Sequence, residues 1–393
     1  MTVRKVRYFI FLRDVLFLSL TAIGGPQAHL AMLLDMMVGK RRYIEEEGLI
    51  ELYALCQILP GPTSTQTITA LGFRLGGPGL AYLTLLVWML PAVFIMTIAA
   101  LAVNFMQEME VSLKFLNIVQ PMAVGIVAYS AYRISSSVIS SRIGYFLMIL
   151  AAFTSYFMKN PVIFPIMIIA GGCITAIRYR EQPIQEKTSI KINWTNLIVW
   201  VSVIIAASVL WRITDSFHLR IFDNFYRNGS MIFGGGQVLV PLLFTEFVEF
   251  KKYLSSSEFI SGYAFVQAIP GPVFSFSAYV GALSAREFGI GSQILAAIMA
   301  AAGIFLPGTF LIFFVIRFWE DLKKYRVVKA SLEGINAVSS GMVMAATFLL
   351  FGAIESTTLN YTLMLGTAGI LFFTKIPTPV IILTGLIIGI IIY

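Results

Sequence analysis

Long apolar runs with few charges recur from one end of the chain to the other, for example over 80–105, 197–210 and 290–316. Each approaches or exceeds the roughly 20 helical residues needed to cross a ~30 Å hydrocarbon core. The pattern predicts an all-α polytopic membrane protein. Its spans fall near 8–35, 48–74, 79–106, 115–138, 142–158, 161–179, 194–213, 225–247, 258–284, 290–318, 330–353, 358–374 and 377–392, about 12–13 membrane segments. Two of these runs are interrupted by the same tripeptide, Pro60-Gly61-Pro62 and Pro270-Gly271-Pro272. Proline removes a backbone donor and clashes with the preceding turn, and the glycine between permits an unusual backbone angle, so each run is predicted to be two half-helices.

Composition sharpens the class. The chain is 58% hydrophobic and 12% charged, against about half and a quarter in soluble domains, and no stretch between spans is long enough for a soluble domain. The net charge of +8 sits in short loops rather than in one stripe, which indicates a positive-inside bias and excludes a nucleic-acid surface. That rule puts the basic N-terminus in the cytoplasm with the loops at Arg133/Arg142, 178–191 and 323–329, and Glu108 and Glu110 on the other side. The first segment lacks the cleavage pattern of a signal peptide and is expected to remain in the mature chain. Cys56 and Cys173 suggest neither a disulfide nor a zinc site. With two histidines, no metal-ligand spacing and no phosphate-binding glycine loop, no metal, cofactor, ATP site or enzyme activity is expected.

An internal repeat organises the rest. Gly24-Gly25-Pro26-Gln27 returns as Gly234-Gly235-Gly236-Gln237, and Gln57–Pro62 as Gln267–Pro272, both offset by 210 (237 − 27 and 267 − 57). Arg74 aligns with Arg286, then Leu90-Pro91 with Leu306-Pro307 and Gly125 with Gly341 at an offset of 216. The predicted organisation is an N-terminal repeat over 1–178, a charged linker over 179–193 and a C-terminal repeat over 194–393. Seven steps separate the first span from its mate, an odd number, so the halves are expected to have opposite orientations, an inverted-topology repeat.

The broken helices carry the candidate chemistry. A helix restarting at Pro62 presents free N–H groups and about half a positive charge beside Thr63, Ser64 and Thr65, an anion site with no full charge. Gln57 and Gln267 add amide donors from the preceding half-helices, with Gly61, Gly271 and Ser275 completing the two breaks. Gly25, Gln27, Gly235 and Gln237 are expected to pass beside them, and Gln120 and Asn336, equivalent at offset 216, form a polar stripe in each half. A packing kink explains a single Pro-Gly-Pro; two at equal spacing favour substrate binding or gating. His29, Arg74, Arg286, Glu47 and Glu51 are candidates for gating or coupling, against packing for His29, snorkelling for the arginines and favourable helix-dipole placement for the glutamates.

The segments GGPQAHL, CQILPGPTSTQ, FGGGQVLVPLL and FVQAIPGPVFSFSAYVG resemble the two-domain form of the chromate transporter family, over nearly the whole chain. The resemblance implies a secondary carrier in the cell membrane that exports chromate, with sulfate-like anions as further substrates. Its partners would be the oxyanion, membrane lipids, a proton as coupling ion and, in a homodimer, a second copy of the chain. An anion channel, or a carrier of another small anion, is the alternative. Thr63-Ser64 is replaced by Val273-Phe274 in the second half, so the halves are expected to contribute unequally.

Overall fold

A computed structural model describes residues 3–23, 25–139, 141–158, 160–177, 193–233, 235–319 and 325–393. Gly24, Gly234 and linker positions 179–192 lie outside the described residues, as does the side chain of Gln27. Among the described residues the chain forms sixteen α-helices and no strand. The first half contributes α1 (Val3–Thr21), α2 (Gly25–Leu33), α3 (Glu46–Ile58), α4 (Thr63–Glu108), α5 (Val119–Val138), α6 (Arg142–Phe157) and α7 (Ile163–Ala176). The second contributes α8 (Thr195–Thr214), α9 (Phe217–Gly229), α10 (Leu239–Leu243), α11 (Ser256–Ala268), α12 (Phe276–Ser284), α13 (Ile290–Val315), α14 (Arg326–Ala353), α15 (Thr358–Phe373) and α16 (Thr378–Ile392). Five helical stretches are long and apolar enough to cross a membrane and five shorter apolar ones accompany them, again among the described residues.

The repeat extends into backbone detail. Leu34–Lys40 and Phe244–Phe250 are both π-helical turns, 210 residues apart. Each ends the same way: Arg42 and Lys252 take left-handed φ of 51° and 54°, and Tyr43 N–H and Tyr253 N–H donate to Met37 and Phe247 carbonyls at 2.7 and 2.8 Å. Helix α6 and helix α15 have bounds that differ by 216 at both ends (358 − 142 and 373 − 157). Helix α8 has no counterpart; only 6% of its apolar window is buried.

Two stretches differ from the sequence expectation. The span placed at 225–247 is instead α9, a turn, then α10 and the π-turn. Helix α9 escaped because Arg220, Asp223 and Arg227 depress its hydropathy, yet it buries Asp223, Asn224 and Asn228. Asp223 accepts from Ser208 Oγ at 2.6 Å and from Arg227 Nε at 3.2 Å, which offsets part of the cost of burying its charge. The span placed at 8–35 is likewise divided, into α1 and α2.

Packing divides the chain into two compact units, each drawing on both halves. One comprises Met1–Phe105, Asn193–Ser230 and Phe265–Arg317; the other comprises Met106–Ile192, Met231–Ala264 and Phe318–Tyr393. In the first, α13 packs on α8, α9 and α12. In the second, α14 packs on α6 and α7, while its repeat mate α5 packs on their mates α15 and α16. The exchange is reciprocal down to single residues. Gly125 lies against the Met364 carbonyl and Gly341 against the Met148 carbonyl, and both members of the pair shift by 216 (341 − 125 and 364 − 148). No side chain larger than hydrogen fits at either place, so close backbone approach holds these helices together.

Candidate functional site

The first Pro-Gly-Pro lies between α3, which ends at Ile58, and α4, which begins at Thr63. Leu59 is extended, with ψ of 150°, and Gly61 takes φ of 123°, a conformation that favours glycine. The first i→i+4 bond of α4 runs from Gln66 N–H to the Pro62 carbonyl at 2.8 Å. The N–H groups of Thr63, Ser64 and Thr65 therefore precede the helical ladder and point out of the helix end.

Around these donors the chain buries a run of polar side chains. Thr63, Ser64, Thr65, Gln66, Thr67 and Thr69 are all buried, Thr65 at 1% exposure. Ser64 Oγ lies 3.0 Å from His29 Nδ1, and Trp88 Nε1–H donates to Thr65 Oγ1 at 3.1 Å. The His29 ring stands edge-on to Trp88, with centroids 5.7 Å apart. Gln66 Nε2 donates both to the Pro60 carbonyl at 2.8 Å and to the Gly308 carbonyl at 3.1 Å, tying the loop to α13. Three buried polar atoms of this cluster have no hydrogen-bond partner: His29 Nε2, Gln66 Oε1 and Thr69 Oγ1. Buried polar atoms are nearly always satisfied, so a cluster of orphans beside free helix N–H groups marks a place for a polar ligand or water.

The second Pro-Gly-Pro has the same backbone and other neighbours. Gly271 takes φ of 109°, Val273–Ser275 forms a 3-10 turn, and α12 follows from Phe276. Gly271 N–H donates to the Ala22 carbonyl, just past the end of α1, at 2.8 Å. Ser275 Oγ and Ser277 Oγ are buried without partners. The two breaks contact each other's partner helices: a Cβ on Gly61 would come within 3.2 Å of Gly308 Cα, and one on Gly271 within 2.7 Å of Ala92 Cβ. Gly61 and Gly271 are repeat mates, as are Ala92 and Gly308 (271 − 61 = 210; 308 − 92 = 216).

The remaining sequence candidates are distributed as follows. In the same unit, Gln57 is exposed near the end of α3, where its side chain meets Tyr53. Gln267 is half-buried on the last turn of α11, and Gly25 opens α2. Glu47 and Arg74 are exposed, and Glu51 and Arg286 half-buried. In the other unit, Gly235 takes φ of 103° beside a half-buried Gln237, and Asn336 is half-buried on α14. There Gln120 Nε2 donates to Ser257 Oγ and Ser261 Oγ at 2.8 and 3.1 Å. Gly61, Thr63, Ser64, Thr65 and His29 thus form one cluster that Gln237, Gln120 and Asn336 do not join. Sequence reasoning missed Gln66, Thr69, Trp88, Ala22, Ala92 and Gly308. Only Gln66 carried a signal: it stands four residues after Pro62, one turn into the new helix, where the second half has Phe276.

A family model described as chromate transporter matches residues 10–176 and 219–390, two regions that leave out α8. The chain is 26% identical to a chromate transport protein of Pseudomonas aeruginosa over 354 residues, covering 86% of this chain and 79% of that one. It is 24% identical to a chromate transport protein of Cupriavidus metallidurans over 395 residues, covering 99% and 92%. It is 24% identical to a probable chromate transport protein of Synechococcus elongatus over 388 residues, covering 95% and 93%. No solved structure matches the chain. The doubled helical repeat and the family match over both halves agree, and the chain belongs to the chromate transporter family, as a multi-pass membrane transporter of the long, two-domain form.

Proposed function

We propose that this transporter is a secondary carrier of tetrahedral oxyanions, chromate first and sulfate-like anions second, which it binds at the first turn of α4 and exports from the cytoplasm by alternating access. The observation that supports this most is the buried hydroxyl run at Thr63–Thr65 with free helix N–H groups and three orphaned polar atoms beside it. A tetrahedral dianion offers only acceptors, so donors are what it requires, and a helix N-terminus supplies them without a fixed charge in the membrane. Gln57 at the end of α3 is a further amide donor, and Gln237, Gln120 and Asn336 are proposed to line the pathway in the other unit. The reciprocal contacts between halves support two-fold related repeats. The six predicted spans of the first half plus the unmatched α8 make an odd count, which favours the inverted arrangement with a cytoplasmic N-terminus.

Purified protein in proteoliposomes tests the reading. A carrier concentrates chromate against its gradient when a second gradient drives it; a channel only equilibrates it. The inverted arrangement predicts that cysteines placed at the repeat mates Arg41 and Lys251 are labelled from opposite sides of the membrane; labelling from one side refutes it.

A further inference from the structure

His29 is 2% exposed, yet it touches groups belonging to both broken helices. Its Nδ1 is 3.0 Å from Ser64 Oγ, two residues past the first Pro-Gly-Pro. Its ring also lies beside the Ala22 carbonyl, the group that accepts Gly271 N–H from the second. Nε2 has no hydrogen-bond partner. Titratable side chains on the surrounding elements are committed or distant. On α1, Asp14 is held by Arg41 Nη2 at 2.9 Å and Tyr43 Oη at 2.8 Å. On α3, Glu47 is exposed, Glu51 is half-buried and the Cys56 thiol lies beside Thr67. On α4, Arg74 is exposed. No charged side chain acts on the ring. An oxyanion arriving at α4 would bring the counter-charge that a protonated, buried imidazole needs.

We propose that His29 carries the coupling proton of this transporter, taking up one proton with each oxyanion bound at α4 and releasing it with the anion. The inference rests on the oxyanion reading above. The His29–Ser64 bond shows how the proton acts. With a neutral ring whose Nδ1 carries the lone pair, the Ser64 hydroxyl hydrogen is committed to Nδ1. With a protonated ring, Nδ1–H donates to Ser64 Oγ, and the hydroxyl hydrogen turns to the anion. One proton passes from water to Nδ1 on loading and back to water on unloading, and no other bond changes. Protonation thus converts Ser64 from a donor to His29 into a donor to substrate.

The test is calorimetric binding of chromate and of sulfate to the purified full-length chain, in buffers of different ionisation enthalpy, over about pH 7.5–9, where both ligands are dianions. The wild-type protein is expected to take up about one proton per anion and to lose affinity about tenfold per pH unit. His29→Gln, which keeps a hydrogen bond to Ser64, is expected to bind at least tenfold more weakly at the low end and to lose both the proton count and the pH slope. Equal proton counts and slopes in the two proteins overturn the proposal. Should His29→Gln not fold, the wild-type proton count decides, since anion binding without proton uptake overturns it as well. Absence of anion binding by the wild-type protein overturns the oxyanion site and, with it, this inference; binding without a role for His29 overturns only the latter.

Discussion

The two Pro-Gly-Pro breaks share a backbone and differ in everything attached to it. After the first, α4 opens at once with buried threonines and serine, a glutamine that ties the loop to α13, and a histidine on the helix end. After the second, Val273 and Phe274 pass through a 3-10 turn, and the glycine N–H is already bonded to the end of α1. The repeated backbone therefore explains where the chain breaks, and the side chains explain what each break is for: the first presents donors, the second anchors a helix end.

That contrast can be broken most severely at the glycines. Gly61→Ala combines a left-handed backbone angle, costing about 1–3 kcal/mol for a non-glycine residue, with a collision against Gly308 Cα and Gln66. It is expected to abolish monodisperse expression. Gly271→Ala meets the same angle but collides with the Ala92 methyl, so adding Ala92→Gly should recover part of its lost thermal stability. Equal damage at the two sites without recovery would mean the breaks are the same in energy as well as in shape.

Next in size is the effect on substrate. Removing one hydrogen bond to a charged ligand costs about 1.5–3 kcal/mol, roughly tenfold to a hundredfold in affinity. Ser64→Ala is expected to weaken chromate binding by that factor at unchanged abundance, Gln57→Ala by less, and Ser275→Ala by under about threefold. Direct binding at matched pH and salt checks the order. Gln66→Leu leaves the Pro60 and Gly308 carbonyls without their donor and should cost about 1–3 kcal/mol of stability, whereas Phe276→Leu at the mate position removes only apolar packing. Thermal melts of the two variants show whether the tether is peculiar to the first half.

The smallest effect expected lies outside the spans. Burial, then the hydrogen bond to Asp14 and its charge, push the Tyr43 hydroxyl up to about 12 from its ordinary 10.0. A raised value means that the folded state holds the proton more tightly. The contribution is complete below about pH 10 and lost as pH rises through about 12. Tyr43→Phe should thus lower stability slightly at neutral pH and flatten the alkaline end of the stability curve. An unchanged alkaline limb would show that the Asp14 bond is not maintained in solution.

The repeat was legible because its carriers, Pro60-Gly61-Pro62, Pro270-Gly271-Pro272 and the Gly-Gly motifs, are residues whose backbone behaviour is dictated locally. The hydroxyls at Thr63–Thr65 were legible for the same reason, since a helix cannot begin before Pro62 there. Helix α9 was not, because Asp223 and Arg227 read as loop charges until Ser208, on another helix, is seen to pair with the former. Nor were the contacts that complete the site: Gln66 reaches Gly308 across 242 residues of sequence, and no local pattern encodes such a partner. His29 stood out only as one of two histidines; its significance comes from Ser64, 35 residues away.

The exchange of contacts between halves bears on how this protein comes into being. Gly61 rests on Gly308, Gly271 on Ala92, Gly125 on Met364 and Gly341 on Met148. The first half therefore leaves the ribosome with its closest packing surfaces open, and about 200 further residues must be translated and inserted before they close. A chain carrying one half alone could fill them only with a second copy or a sister chain, which makes joining two genes into one a way of guaranteeing the partner. During synthesis, the first half must wait.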